Sequence, residues 1–426
     1  MEKLIVKGGT RLQGTIPVSG CKNAVLPIAV AAAILGDGVS VLHNVPNLTD
    51  VKTLSAVLEG LGATIKLKNS TLYIEPINHL EYEAPYELVR KMRASIYVLG
   101  PLVAKLGKAK VSFPGGCAIG PRPIDLHIQG LEHLGAEVTV HSGYIYAQAE
   151  RLAGTEMYLM GQHGPSVGAT ANIMMAATLA EGTTVIRGAA CEPHISDLAH
   201  FLNAMGADIE GIGTSVLTIQ GVKQLRGTEH TVISDDIEAG TFMVAGAITK
   251  GDVYVEGIGP QQIPAVSEKL TEAGVQLDWD GNGVRVTTPR EIKGIDVTTA
   301  PFPGFPTDMQ AQIMGLLCLA SGTSVITENV HTDRYIHAAE LNRMGAKIML
   351  DGTKAVINGV SKLSGAPVMA SDLRAGAVLV AAGMAASGET VVSRVYHIDR
   401  GYESIERKLN DIGANITRVS DRGEEV

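Results

Sequence analysis

The chain has 426 residues, too many for one ordinary hydrophobic core, so two domains are expected. Its 35 Lys and Arg against 44 Asp and Glu leave a formal charge of −9, which argues against nucleic acid and against an anionic membrane surface as partners. Charged residues make up 19% and aromatics 4%, while glycine reaches 49, a composition that favours many turns and a core of small aliphatic side chains.

The chain opens with Leu4-Ile5-Val6, a short strand ending at Gly8-Gly9, with no apolar signal-peptide region. The longest apolar stretches, 23–35 and 377–386, are too short and too punctuated by Gly and Pro to span a bilayer. Cys21, Cys117, Cys191 and Cys318 show no Cys-x-x-Cys spacing, so neither a metal site nor a disulfide framework is expected. A cytoplasmic location follows as an expectation.

A helix ending in small-Gly-small and running into a strand recurs six times, at Gly62, Gly135, Gly206, Gly274, Gly345 and Gly413, spaced 68–73 residues apart. Each glycine falls where a helix C-terminus calls for a left-handed residue. Between these sites a glycine and a small polar residue precede alternating valines, as in Gly182-Thr183-Thr184-Val185-Ile186 and Gly322-Thr323-Ser324-Val325-Ile326, a period-two strand pattern. Before these strands lie helices rich in Ala, Gly and Met, expected over 168–180, 240–249, 308–320 and 373–386. They are apolar nearly all round and should be buried, whereas second helices such as 265–273 carry charges and should face solvent.

The unit therefore reads as strand, helix, strand, second helix and one or two strands. The first copy starts at Leu4 and the fourth near Val216. Three units packed together can bury the helices that one unit cannot. The expected lobes are 22–232, and 1–21 plus 233–426, with two chain crossings as a hinge and a ligand cleft between them.

Several segments carry chemistry. Ser19-Gly20-Cys21-Lys22-Asn23 precedes a helix, where backbone N–H groups and a lysine suit an anion; a plain turn with a solvated lysine is the alternative. Pro114-Gly115-Gly116-Cys117-Ala118-Ile119-Gly120-Pro121-Arg122-Pro123 must be a loop, and a loop thiol near a fixed cation is either a reactive cysteine or an incidental one. Arg93, Arg122, Arg334, Arg374 and Arg400 fall in loops or at helix starts; guanidinium forks grip carboxylates and phosphates, though isolated arginines are mostly surface ion pairs. Asp308 follows the rigid Pro303-Gly304-Phe305-Pro306 loop and reads either as a helix N-cap or as a general base. No Walker A loop, His-Glu-x-x-His or dinucleotide-binding Gly-x-Gly-x-x-Gly is present, so no cofactor and no metal are expected.

Six of these motifs in order resemble one family: Ser-Gly-x-Lys-Asn at 19–23, Met-Arg-Ala-Ser at 92–95, Pro-Gly-Gly-Cys-x-Ile-Gly-x-Arg-Pro-Ile-Asp at 114–125, Gly-Phe-Pro-Thr-Asp-Met-Gln at 304–310, Asp-Leu-Arg-Ala at 372–375 and Asp-Arg-Gly-Tyr-Glu at 399–403. The family is that of the UDP-N-acetylglucosamine 1-carboxyvinyltransferases. The resemblance spans essentially the whole chain and implies an α/β fold, a two-domain inside-out α/β barrel with six βαβαββ-type repeats, three per domain. It implies transfer of the enolpyruvyl group of phosphoenolpyruvate to the 3′-hydroxyl of UDP-N-acetylglucosamine through a tetrahedral ketal, the first committed step of peptidoglycan synthesis.

By the same resemblance Cys117 is the thiol that protonates phosphoenolpyruvate, can form a covalent adduct with it and is the target of fosfomycin. Asp308 takes the proton of the sugar hydroxyl. Lys22, Arg122 and Arg400 are phosphate-side cations, and Arg334 and Arg374 are carboxylate partners. Asn23, Arg93, Arg122, Pro123, Ile124, Asp125, Leu126, Asp308 and Val330 fall at positions that contact the UDP-sugar, Asp372 joins the substrate-binding positions, and Ser166-Val167-Gly168 matches a helix start that holds the diphosphate. The Cys117 loop is expected to be a lid in the lobe opposite Asp308.

Three positions depart from the family pattern: Cys21 stands for an alanine, Tyr97 for the tryptophan of some members, and Gly161-Gln162-His163-Gly164-Pro165 lacks a lysine that some carry. The sister enzyme acting on shikimate 3-phosphate lacks the loop cysteine. A catalytically silent UDP-N-acetylglucosamine-binding paralogue would have no chemical need to keep Lys22, Cys117, Asp308 and Arg400 together.

Overall fold

All six small-Gly-small sites end their helices in the same way. The glycines have φ between 91° and 107° (Gly135 and Gly206 at the extremes), a conformation that costs a Cβ-bearing residue strain. Each cap closes with two hydrogen bonds: Gly206 N–H donates to Asn203 C=O and Ala207 N–H to Leu202 C=O, and Gly413 and Ala414 repeat this on Asn410 and Leu409. A leucine occupies the position that accepts the second bond in every copy, so the cap also packs an apolar pair. At three copies an asparagine adds a clamp. Asn203, Asn342 and Asn410 each donate Nδ2–H to the C=O of the residue six positions on and accept that residue's N–H at Oδ1, at 2.7–2.9 Å.

The computed structural model describes residues 2–84, 86–90, 92–113, 124–289, 291–420, 422 and 424. The Cys117 loop, with Arg122 and Pro123, lies outside the described residues, and so does its expected role as a lid. The chain divides into two units, one holding 20–113 and 124–233, the other 2–19 and 234–424 among the described residues.

In the first unit three helices form the centre: α1 (Lys22–Ile34), α2 (Leu99–Leu106) and α3 (Val167–Ala177). All of α1 except Asn23 is buried, as its Ala, Val, Ile and Leu composition requires. Around them stand three sheets of one topology. In the third, Glu156–Tyr158 pairs parallel with Thr183–Arg187, which pairs antiparallel with Val216–Gln220, and that strand with Asp208–Glu210. The first sheet takes its parallel edge, Glu229–Thr231, from the end of the unit. The second reduces that edge to a single bridge, Glu83 with Lys110.

The second unit repeats the plan with α4 (Asp236–Ile248), α5 (Gln310–Leu317) and α6 (Leu373–Ala385). The N-terminal segment supplies strands to two of its sheets: Gln13–Pro17 pairs parallel with Asp252–Glu256, and Lys3–Lys7 lies between Glu389–Ser393 and Ile416–Val419.

Two sequence expectations are corrected here. Leu4 does not begin the first copy; its strand completes the sixth sheet. Val216 does not begin the fourth copy; its strand completes the third sheet by hairpin pairing with Asp208–Glu210. The valine strands mark the repeats, but the strand beside each valine strand is fixed by non-local pairing that a linear reading cannot assign.

Helix ends also shift. Asp235 caps α4 by accepting from Ile237 N–H and Glu238 N–H, which starts that helix four residues before the expected 240. The expected helix at 308 begins as a single 3-10 turn, Thr307–Met309, before α5. Charged second helices such as Pro264–Glu272 bury only one side, through Val266 and Leu270. Among the described residues no helix is long and apolar enough to cross a membrane.

Asn410→Ala removes two hydrogen bonds from one clamp. It should lower unfolding free energy by about 1–3 kcal/mol, read as a reduced urea midpoint with an unchanged m-value.

Candidate functional site

In the second unit the expected residues converge on the carboxylate of Asp308. Its Oδ1 accepts from Arg334 Nη1 at 2.6 Å, and its Oδ2 accepts from Arg374 Nη2 at 2.9 Å and Nε at 3.2 Å. The arginine side chains are only 4% and 2% exposed, against 29% for Asp308, so the carboxylate is the accessible end of a buried cationic clamp. The N-cap positions of the turn Thr307–Met309 and of α5 are Pro306 and Met309, while both oxygens of Asp308 are held by arginines. The carboxylate that Arg334 and Arg374 hold in this structure is that of Asp308.

Arg374 sits in the first turn of α6, where Asp372 accepts its N–H and that of Ala375. Its Nη1 donates to Tyr402 Oη at 3.0 Å. Tyr402 Oη in turn meets Thr241 Oγ1 of α4 at 2.9 Å and accepts from Gln312 Nε2 of α5 at 3.2 Å. One polar side chain from each inner helix therefore meets at a single phenol. Burial opposes the charge on Arg374, but Tyr402, Asp308 and Asp235 outweigh it and raise its pKa.

Glu328 lies beneath the clamp, fully buried. Its Oε1 accepts from Thr299 Oγ1, Val330 N–H and His331 N–H, and its Oε2 from Thr307 Oγ1. These four bonds fix the backbone at Val330 and, through Thr307, the turn that carries Asp308. His337, buried beside Asp372 and Arg334, has its pKa lowered to about 4, chiefly by burial. Arg400 ends the 3-10 turn Val395–Arg400, and the preceding Asp399 is gripped by Arg418 at 2.7 and 3.0 Å, with Glu406 and Glu2 on the same guanidinium.

In the first unit Lys22 is the first residue of α1, buried, with Nζ 3.5 Å from Asp50 Oδ2. Asn23 follows it on α1. Arg93 opens the 3-10 turn Arg93–Val98 that leads into α2. Ile124 precedes the helix Asp125–His133, which carries Asp125 and Leu126 at its start. Ser166 caps α3, its Oγ accepting Ala169 N–H at 3.2 Å, which leaves Val167 and Gly168 in the turn whose N–H groups have no helical acceptor. No group of three or more His, Cys, Asp or Glu is placed to hold a metal among the described residues.

Sequence reasoning missed Tyr402, Thr241, Gln312, Glu328 and Asp236. The first four act through partners distant in the chain. Asp236 opens α4 beside the capping Asp235. Its carboxyl is pushed up to about 8, first by burial and then by Asp235, with Asp308 adding to the shift and Arg374 opposing it.

A family model described as EPSP synthase (3-phosphoshikimate 1-carboxyvinyltransferase) matches residues 6–409. A UDP-N-acetylglucosamine 1-carboxyvinyltransferase of Methylacidiphilum infernorum is 52% identical over 98% of this chain and 99% of its own length. One from Desulfatibacillum aliphaticivorans is 54% identical over 98% and 100%. Among solved structures, the enolpyruvyl transferase NikO from Streptomyces tendae matches with a TM-score of 0.88 at 25% identity, covering 98% of each chain. EPSP synthase from Acinetobacter baumannii matches with a TM-score of 0.75 at 21% identity, covering 98% of this chain and 100% of that one, a likeness in fold.

A carboxyl whose folded pKa is raised to about 8 is protonated when folded but ionised when unfolded across pH 4–8, so its contribution to stability falls as pH rises through that window. Asp236→Asn should match the wild type in stability near pH 4 and exceed it near pH 8, as denaturant melts at the two pH values would record.

Proposed function

We propose that this chain, which belongs to the UDP-N-acetylglucosamine 1-carboxyvinyltransferase family, moves the enolpyruvyl group of phosphoenolpyruvate to the 3′-hydroxyl of UDP-N-acetylglucosamine and releases phosphate, the first committed step of peptidoglycan synthesis. The observation that carries this reading is identity above one half along nearly the full length of both chains, where the likeness to EPSP synthase is one of fold.

The chemistry proceeds in two halves. The sugar hydroxyl oxygen bonds to C2 of phosphoenolpyruvate as its proton leaves to a base, and C3 gains a proton from an acid. In the second half C3 gives up a proton, the bond from C2 to the phosphate oxygen breaks, and phosphate departs. We assign the base to Asp308 and the acid to the thiol of Cys117. A carboxylate held by two buried guanidiniums cannot swing away, which supports a positioned base.

Lys22, Arg122 and Arg400 are assigned to the phosphate of phosphoenolpyruvate, where charge builds as it leaves. Asp399, held by Arg418, fixes the turn that presents Arg400. Arg334 and Arg374 hold the base, and we propose that any face they share with the carboxylate of phosphoenolpyruvate is reached through the exposed side of the clamp. Asn23, Arg93, Ile124, Asp125, Leu126, Val330 and Asp372 are assigned to UDP-N-acetylglucosamine binding, and the start of α3 at Ser166, Val167 and Gly168 to its diphosphate, where orphan N–H groups and the helix dipole favour an anion. Fosfomycin is proposed as an inhibitor that alkylates Cys117.

Inorganic phosphate should be released from phosphoenolpyruvate with UDP-N-acetylglucosamine and not with shikimate 3-phosphate; the reverse pattern would overturn the proposed acceptor. Cys117→Ser should keep UDP-N-acetylglucosamine binding while losing normal turnover and fosfomycin labelling. Labelling that persisted on Cys21 would contradict the assignment of the thiol.

A further inference from the structure

His127 is buried to 3% exposure on the helix Asp125–His133, and its pKa is lowered to about 3, first by burial and then by Arg93. The ring is therefore neutral at working pH, and its chemistry depends on which nitrogen carries the hydrogen. Asn172 of α3 settles that. Its Oδ1 accepts Gly100 N–H at 2.6 Å, and its Nδ2 donates to Ile96 C=O at 2.8 Å. A backbone donor on one side and a backbone acceptor on the other allow only one orientation of the amide. The second Nδ2 hydrogen then points at His127 Nδ1, 3.1 Å away. Nδ1 must accept, so the hydrogen resides on Nε2.

Nε2 is placed against the start of α3. A Cβ built on Gly168 would stand 3.0 Å from His127 Nε2 and 3.2 Å from Cε1, so the ring occupies the space that any larger residue at 168 would need. Among the described residues the bond at Nδ1 is the one hydrogen bond of this ring, so Nε2 is left without an acceptor there. The donor thus lies against Gly168, in the first turn of the helix that Ser166 caps.

We propose that Asn172 is a positioning residue for the nucleoside diphosphate: it locks His127 in the Nε2–H form, so that the ring adds a third, neutral donor to the helix start that takes the phosphate oxygens. The inference rests on the functional reading given above. A lone pair at the same position would face the anion and repel it, so the lock decides the sign of the contact. Asn172 itself touches no substrate. It also ties α3 to the turn that begins with Arg93, through Ile96, and to the start of α2, through Gly100.

The test uses the full chain labelled with 15N-histidine, with UDP as the probe. Long-range 1H–15N spectra should show the His127 resonances of an imidazole protonated at Nε2 and bare at Nδ1. UDP should bind about 10- to 100-fold more weakly to His127→Phe, the loss of one hydrogen bond to a charged group, and His127→Gln, which keeps an N–H at similar reach, should recover most of that affinity. In steady state His127→Phe should raise KM for UDP-N-acetylglucosamine while leaving KM for phosphoenolpyruvate near that of the wild type. Asn172→Asp, whose carboxylate demands a proton on Nδ1, should move the hydrogen and weaken UDP as His127→Phe does.

A wild-type ring protonated at Nδ1 would overturn the lock. A wild-type chain that binds UDP with an affinity indifferent to both His127 variants would overturn the role in binding while leaving the functional reading intact. A wild-type chain that neither binds UDP nor turns over UDP-N-acetylglucosamine would overturn that reading, and this inference with it.

Discussion

A guanidinium charge taken almost wholly out of water must be neutralised and hydrogen-bonded in place, because an unpaired ion there would cost several kcal/mol. Arg374 is that charge, and its partners define the second unit. Asp308 supplies the countercharge from the turn before α5, and Tyr402 supplies an acceptor from the segment after Arg400. Thr241 and Gln312 complete the phenol's partners from α4 and α5. Beyond their first two turns the three inner helices carry only apolar residues and glycine, so this hub fixes their register where apolar packing alone would tolerate slippage. The same bonds hold the carboxylate that the proposed chemistry needs.

The first unit solves the corresponding problem without a charge. Asn172, fully buried on α3, spends both ends of its amide on backbone groups of Ile96 and Gly100 and its spare hydrogen on His127. Each unit thus has a buried polar side chain on its third inner helix, Asn172 or Arg374, that ties that helix to neighbouring segments. A cationic hub holds a carboxylate in one unit, and a neutral hub holds an imidazole in the other. That difference matches the proposed division of labour, with a base held firmly and a donor face for an anion.

Much of the fold was legible because its signals are local. The six glycine caps and the valine strands each depend on residues within about one helical turn or one hairpin, and they lie where the pattern puts them. Helix extents were less legible where a cap or a 3-10 turn intervened, as at Asp235 and Thr307. The assignment of Leu4 and Val216 to copies failed because pairing in the sheets joins strands far apart in the chain. In the site, Asp308 and the arginines stood out as charges in a chain poor in charge, yet their mutual pairing spans up to 66 positions and no spacing rule could reveal it. Glu328 and His127 carried no signal in the sequence, and Tyr402 stood in a quoted motif without a role, until their burial and partners singled them out. The raised carboxyl of Asp236 comes from packing that the dipeptide Asp235-Asp236 does not disclose.

The central claim is that Asp308, held by Arg334 and Arg374, takes the proton of the acceptor hydroxyl. The most direct measurement is kcat for Asp308→Asn with phosphoenolpyruvate and UDP-N-acetylglucosamine, beside its melting temperature. The account predicts a folded variant whose kcat falls by about 10²- to 10⁴-fold, the usual contribution of a positioned base. A folded variant that turned over at the wild-type rate would contradict it.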